Sequence, residues 1–265
     1  MKHISVTKCF IIMLFLTILT SPARAGFIDI NLTFEDNSLT DSQEFVFSLA
    51  GAVFESVLKG TQSVEDMILN IPISSGFIDG PPVVGESRRL ATATTFCCNF
   101  FGGFAYTAGG SIEVDSADID RLENNDSLIW VAIHEIAHVL GFNGPIWEMN
   151  GAYVADSGMY TGAAGLAAYR SEFDPAALFV PVDASNGHWD ESWAGGPDEI
   201  MTALLGNNIN SLFISNTTYR TFEDIGFIVR ITEPTTILLF LSAFITMAWK
   251  RRSPLEDTHS KKIID

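Results

Sequence analysis

Residues 127–140 constrain the fold of this 265-residue chain more than any other segment. They are apolar almost all round a helical projection, which predicts a helix that is buried on every side. Asp126 or Ser127 is placed to begin this helix and Gly141 to end it. The segment also contains two histidines and a glutamate, in the order His134-Glu135-Ile136-Ala137-His138. Buried polar groups are costly without partners, so the fold must supply a partner, such as a metal ion, for these three side chains.

The spacing of these polar residues indicates a zinc site. Positions i and i+4 lie on one face of a helix, so His134 and His138 can meet the same ion. Glu135 lies beside the first ligand, and its carboxylate can reach a zinc-activated water without binding the metal. Zinc lowers the pKa of that water toward neutrality, and Glu135 can pass its proton to a leaving amine. The pattern predicts a zinc hydrolase with Glu135 as general base.

A catalytic zinc ion needs a third protein ligand and one open position. Of the five histidines, His3 and His259 lie near the two ends of the chain, which leaves His188. We expect His188 to complete the site. Asp, Glu or Tyr can replace histidine as a zinc ligand. The acidic alternatives here are Asp190, Glu191 and Asp198.

Both ends of the chain have the pattern of sorting segments. Residues 1–25 combine a basic start, a short apolar run and Ala23-Arg24-Ala25, which predicts a secretory signal peptide, with an uncleaved anchor as the alternative. Residues 232–252 contain Glu233-Pro234, an apolar segment and a basic cluster, and a polar tail follows at 253–265. They resemble a PEP-CTERM signal, which exosortase-type enzymes process, although a plain single-pass anchor fits as well. We expect export to the periplasm, cell surface or extracellular matrix, with the C-terminal segment holding the protein at the membrane at least transiently.

The part between these ends is strongly acidic. The leader and the segment from Pro234 hold eight of the 15 basic residues and three of the 32 acidic ones, which leaves a net charge of −22 between them. This charge argues against nucleic acid and anionic membrane surfaces as partners of the domain. Its carboxylates suit calcium, but no D-x-[DN]-x-[DN]-G loop supports a calcium site.

The cysteines do not compete for the metal. Cys9 lies in the leader, and the adjacent Cys97 and Cys98 lack the C-x-x-C spacing of a zinc site. They form either a vicinal disulfide in an oxidising compartment or two buried thiols.

Hydrophobic periodicity predicts an α+β fold with one core. Strands are predicted at residues 28–34, 67–73, 96–106 (with a turn at Gly102-Gly103) and 111–115. A helix is predicted to begin at a capping box of Thr40 and Gln43 and to close at Lys59-Gly60, and a last helix at 215–225. Residues 143–197 show little periodicity.

Together these motifs resemble leishmanolysin-like metalloproteases of the bacterial type, which belong to the metzincin clan. Gly141 follows His138 at the metzincin x-x-G spacing, but the usual third-histidine position is Gly144. In the leishmanolysin-like pattern a long insertion, here about 143–187, precedes a His-Trp pair, here His188-Trp189. The methionine of the Met-turn follows, here Met201 within about 198–202. The resemblance extends over about residues 27–228.

The resemblance implies that residues 26–231 form a metzincin, or zincin-like, catalytic domain. Such a domain has a mixed twisted sheet with an active-site helix, and a smaller irregular C-terminal subdomain that ends in a helix. His134, His138 and His188 are then the zinc ligands, and Met201 is an apolar surface beneath the metal. Metzincin substrates lie extended along an edge strand, and we expect this edge in the strand before the helix. Its residues are Ser111, Ile112, Glu113, Val114 and Asp115.

The expected function is a secreted or surface-held endopeptidase that uses one zinc ion to hydrolyse peptide bonds in a protein or peptide substrate. The alternative is a non-catalytic, zinc-containing surface protein associated with exopolysaccharide. Glu135 favours the enzyme, because a protein that no longer cuts need not keep its base.

Overall fold

The computed structural model describes residues 25–35, 38–80, 88–206 and 209–231. The predicted signal peptide up to residue 24, the PEP-CTERM-like segment and the polar tail lie outside these ranges. Among the described residues, no helix has both the length and the apolar character needed to cross a membrane.

The described part contains strands and helices in mixed order. In chain order they are β1 (Ile28–Phe34), α1 (Asp41–Val57), β2 (Leu58–Thr61), β3 (Met67–Gly76), β4 (Ala91–Phe101), β5 (Phe104–Asp115), α2 (Ile119–Asn124), α3 (Leu128–Leu140), α4 (Gly144–Met149), β6 (Met159–Tyr160), α5 (Ala163–Glu172), β7 (Val180–Pro181), α6 (Asn216–Asp224) and β8 (Phe227–Val229).

A mixed four-stranded sheet has the strand order β1-β3-β5-β4. β1, β3 and β5 are parallel, and β4 is antiparallel to β5. The predicted alternation in β3 is confirmed, since Met67, Leu69, Ile71 and Ile73 are at most 2% exposed. The prediction of an α+β fold is also confirmed, with a sheet that is partly parallel.

The hairpin between β4 and β5 decides which strand lies at the edge of the sheet. Gly102 and Gly103 have φ of 60° and 85°, the left-handed conformation of a two-residue hairpin turn. The turn reverses the chain, so β4 and β5 pair antiparallel and β4 lies on the outer side of β5. β5 is therefore paired on both sides at residues 112–114, with β3 and with β4. The prediction that Ser111, Ile112, Glu113, Val114 and Asp115 form an edge is wrong, because the edge strands of this sheet are β1 and β4.

Helices α1 and α3 pack against each other, α1 contacts β1, and α3 contacts β4 and β5. The predicted capping box at the start of α1 is present, with Thr40 and Gln43 bonded reciprocally. The helix does not extend to Lys59-Gly60, because β2 begins directly at Leu58 and pairs with β8.

Helix α3 matches the predicted buried helix at nearly the predicted boundaries. Nine of its 13 residues are buried, and the side chain of Ser127 bonds to Leu122 and Asn125 instead of capping it. Gly141 ends the helix with φ of 114°, and a Cβ atom there would lie 2.9 Å from Ile225 Cδ1. Both the backbone conformation and the space require glycine at this position.

The segment 143–197 is more regular than its sequence indicates, because it contains α4, α5 and the small β6–β7 pair. The predicted last helix is present as α6, with Ser215 as its N-cap. The C-terminal subdomain was expected to end in that helix, but the described chain continues past it into β8, which pairs with β2. This pairing joins the end of the domain to the region before β3.

Candidate metal centre

Three histidines from two parts of the chain converge in the structure. His134 and His138 lie one turn apart on α3, and His188 approaches from the segment between β7 and α6. Nε2 of His138 lies 2.9 Å from Nε2 of His134 and 3.1 Å from Nε2 of His188. Three nitrogens around a tetrahedral ion with bonds of about 2.0–2.1 Å lie roughly 3.3 Å apart. These histidines are therefore close enough to hold one metal ion.

The second ring nitrogens of the two helix histidines are fixed by main-chain carbonyls. Nδ1 of His134 lies 2.5 Å from the carbonyl oxygen of Ile200, and Nδ1 of His138 lies 2.7 Å from that of Phe142. A carbonyl oxygen can only accept, so both Nδ1 atoms carry the proton. Both Nε2 atoms then present lone pairs to the centre of the cluster, the arrangement that metal-binding histidines need.

The ring of His188 is fixed by side chains. Its Nδ1 lies 3.3 Å from Oδ2 of Asp183 and 3.1 Å from Oγ of Ser185. Asp183 also accepts from the main-chain N–H of His188 at 3.2 Å. Burial opposes ionisation of Asp183, but hydrogen bonds from His188 and Ser185 outweigh it and lower the pKa to about 2. An ionised carboxylate therefore faces the outer nitrogen of this histidine at neutral pH.

The electrostatics of the cluster favour a cation at its centre. Burial, followed by the charge of His188, lowers the pKa of His134 to about 4, and burial lowers that of His138 well below its usual value. The neutral rings of His134 and His138 face each other with their Nε2 lone pairs 2.9 Å apart and repel, and a positive ion between them removes the repulsion. Imidazole nitrogens suit zinc, copper, iron and nickel alike, so the residues fit a metal ion without fixing which one.

Glu135 follows His134 in α3 and is not one of the three converging residues. It is 7% exposed, and burial raises its pKa to about 8. A hydrogen bond from the main-chain N–H of Ala93 and the charge of Arg89 act in the opposite direction and lower the pKa. Ala93 belongs to the edge strand β4, so the carboxylate lies between helix α3 and that strand. A cation on the histidines would lower the pKa of Glu135 from this value toward neutrality.

Met201 and Trp189 form part of the framework behind the histidines. Met201 is fully buried, and its carbonyl oxygen accepts from the main-chain N–H of Trp189 at 2.9 Å. The Trp189 ring stacks on Trp147 with centroids 5.6 Å apart and meets Phe142 edge-on at 5.0 Å. The residue next to His188 is thus anchored in an aromatic core. The specific Met-turn role of Met201 stays a prediction.

The alternative third ligands do not join the cluster. Asp190 accepts from the main-chain N–H of Ser192 at 2.9 Å, and Glu191 accepts from that of Leu204 at 2.9 Å. Asp198 is likewise outside the converging set. Sequence reasoning missed Asp183, although its position five residues before His188 was a usable signal. The carbonyl group of Ile200, which accepts from His134, was also not predicted.

Among the residues that the structure describes, neither the cysteines nor the acidic residues form a second metal-binding cluster. Cys97 and Cys98 are bonded to each other and are partly exposed, so the alternative of two buried thiols is wrong. Asp156, Asp183 and Asp190 border a cavity of about 440 Å³. Within the described ranges, however, the three histidines are the one group of three or more such residues whose ligand atoms all lie within 4.8 Å of one another, so calcium gains no support.

Comparisons with known proteins do not identify the chain. No protein-family model matches it. No curated protein matches it either. The leishmanolysin-like resemblance therefore remains a prediction, and the function has to be argued from the site.

Proposed function

We propose that this protein is a zinc-dependent endopeptidase of the metzincin type, with His134, His138 and His188 as ligands and Glu135 as general base. The observation that carries the proposal is the convergence of three Nε2 atoms, with the buried Glu135 next to His134 in the same helix. Three protein ligands, with the fourth position of the metal taken by water or substrate, are typical of catalytic zinc. Export and attachment through residues 232–252 are part of the proposal and rest on the sequence alone.

Glu135 supplies the proton transfers that peptide hydrolysis needs. When bound, zinc acts as a Lewis acid toward water and the scissile carbonyl. Glu135 takes a proton from the attacking water and delivers it to the leaving nitrogen. Burial raises its pKa to about 8, and a neighbouring cation lowers it from there, which brings the carboxyl close to the pH at which it works.

The edge strand β4 offers a binding surface for an extended peptide. Among the described strands it pairs only with β5, so its outer side has no strand partner and can pair with an extended substrate. Thr95 of this strand reaches α3, with its hydroxyl 3.3 Å from the carbonyl oxygen of His138. A peptide added to β4 would therefore run past Glu135. The proposed substrate edge thus moves from residues 111–115 to β4.

A comparison of wild type with Glu135→Ala tests the proposed activity. We expect both proteins to bind one zinc ion, since Glu135 is not a ligand, and only the wild type to cleave casein, gelatin or a broad peptide library. Loss of the general base alone should reduce kcat by about 10²–10⁴-fold. A wild type that binds zinc and cleaves no more than the variant would overturn the protease and favour the non-catalytic surface protein.

The third ligand is tested separately by metal content. His188→Ala should lower zinc occupancy after dialysis, because two histidines alone hold zinc weakly. Glu191→Gln is the matched control, since Glu191 lies close in sequence and bonds only to the main chain at Leu204 among its described contacts. Unchanged occupancy in His188→Ala, or a loss in Glu191→Gln, would contradict the ligand assignment.

A further inference from the structure

Glu199 is a fully buried carboxylate with four hydrogen-bond donors around it. Oε2 accepts from the main-chain N–H of Met201 at 2.7 Å. Oε1 accepts from the main-chain N–H and the hydroxyl of Ser215, both at 3.0 Å, and from the hydroxyl of Thr218 at 2.5 Å. Burial raises the pKa of this carboxyl, and these hydrogen bonds act in the opposite direction.

Most hydrogen-bond partners of Glu199 donate to it. The main-chain N–H groups of Met201 and Ser215 can only donate. The Thr218 hydroxyl accepts from Nε1 of Trp189 at 2.9 Å, which leaves its own proton for Glu199. The Ser215 hydroxyl accepts from the main-chain N–H of Thr218 at 3.0 Å, and its own proton has two acceptors, Glu199 and, at 3.2 Å, the Thr218 hydroxyl. Both carboxyl oxygens of Glu199 therefore act as acceptors.

This network lies directly behind two of the three metal ligands. The Met201 N–H that bonds to Glu199 belongs to the same peptide unit as the Ile200 carbonyl group, which orients His134. On the other side, Thr218 connects Glu199 to the indole of Trp189, the residue after His188. Glu199 therefore bonds to the peptide that orients His134 and, through Thr218, to the residue that follows His188.

We propose that Glu199 is a positioning residue of the metal centre, which sets the geometry of His134 through the 200–201 peptide and of His188 through Thr218 and Trp189. It touches neither metal nor substrate. The inference rests on the three-histidine metal site of the proposed function but not on proteolysis.

The substitution Glu199→Gln keeps the shape of the side chain but replaces one acceptor oxygen with an NH₂ group, which can only donate. The amide oxygen can serve one side of the network, and the NH₂ group then faces a donor on the other side, either Met201 N–H or the Ser215 and Thr218 groups. We expect the zinc Kd, measured against a competing chelator, to rise at least tenfold, as for other residues that orient metal ligands. The visible absorption of the cobalt(II)-loaded protein should also change, because it reports ligand geometry.

Two control variants separate positioning from general stability. Asp198→Asn makes the same change of charge one residue earlier, where the described structure has no side-chain hydrogen bond, and should leave the zinc Kd unchanged. Tyr106→Phe removes a buried hydrogen bond to the carbonyl oxygen of Gly226, 2.7 Å long, and should lower stability without moving the zinc Kd or the cobalt spectrum.

The outcome is decisive in either direction. If Glu199→Gln unfolds more easily, like Tyr106→Phe, while its zinc Kd and cobalt spectrum stay those of wild type, Glu199 is only structural and the inference fails. If Glu199→Gln does not fold, Thr218→Val decides, and it should weaken zinc binding by about two- to tenfold, since it removes a single link; an unchanged Kd there also overturns the inference. If wild type shows no proteolysis, the proposed enzymatic function fails, while the proposed role of Glu199 in the metal site is unaffected.

Discussion

At the residue scale, the three histidines differ in what holds them. His134 and His138 donate to main-chain carbonyl groups, which no side-chain substitution removes. His188 depends on the side chains of Asp183 and Ser185. The third ligand is therefore the one whose orientation is most open to mutation.

We expect Asp183→Asn to raise the zinc Kd by about 10–100-fold, because Nδ1 of His188 loses a charged acceptor. Titration of the metal-free protein with zinc in the presence of a competing chelator measures this change. Asp190→Asn is the control, because that carboxylate bonds only within its own turn, to Ser192. Equal affinities for Asp183→Asn and wild type would mean that Ser185 alone orients the ring.

Sequence could predict the ligands better than their supports. His134 and His138 follow from helical periodicity, and His188 follows because few histidines exist. Glu199 and its partners Ser215 and Thr218 are 16 and 19 residues apart, and no periodic pattern connects them. Such contacts depend on how the chain returns to the site, which the sequence does not reveal locally.

At the element scale, α5 and α6 cap each other. Glu172, at the end of α5, accepts from the main-chain N–H groups of Asn216 and Thr217 at 2.8 and 2.7 Å. Asp224, at the end of α6, accepts from those of Ala164 and Gly165, both at 2.8 Å. Each carboxylate satisfies free N–H groups at the start of the other helix, where the helix dipole also favours negative charge.

We expect Glu172→Ala to lower the free energy of unfolding by about 1–2 kcal/mol, as for the loss of other N-terminal caps. Asp224→Ala should cost a similar amount, because each carboxylate also accepts from a buried hydroxyl, Thr217 for Glu172 and Tyr160 for Asp224. Urea denaturation measures both. Glu148→Ala, at an exposed site without a described side-chain bond, should change stability by no more than about 0.5 kcal/mol. Equal effects of all three would refute the reciprocal caps.

The same caps explain why one helix was predicted and the other missed. α6 has a local cap in Ser215 and a strongly amphipathic pattern. α5 has no side-chain cap of its own, and its cap comes from Asp224, about 60 residues further along the chain. The edge of the sheet was misplaced for a related reason, since alternation predicts a strand but not which neighbours it pairs with.

At the scale of the whole molecule, the histidine cluster joins two segments that are distant in sequence. His134 and His138 come from the helix that packs on the sheet, and His188 comes 50 residues after His138, beyond α4 and α5. The three histidines therefore meet only when both parts are folded. Without a cation, the facing lone pairs of His134 and His138 repel, and residues 26–233 carry a net charge of −22, which also favours a cation.

Removal of the metal should therefore destabilise the fold. A ligand that binds only the folded state adds about 2.7 kcal/mol at 100 times its Kd. In a domain of about 200 residues this corresponds to a Tm roughly 5–10 °C higher with zinc than after chelation. Zinc should restore the Tm and calcium should not, because within the described chain only the histidines form a metal cluster. His188→Ala should show a much smaller difference between the two conditions. A wild-type Tm that is the same with zinc and with chelator would mean that the histidines do not join the two segments through a metal ion.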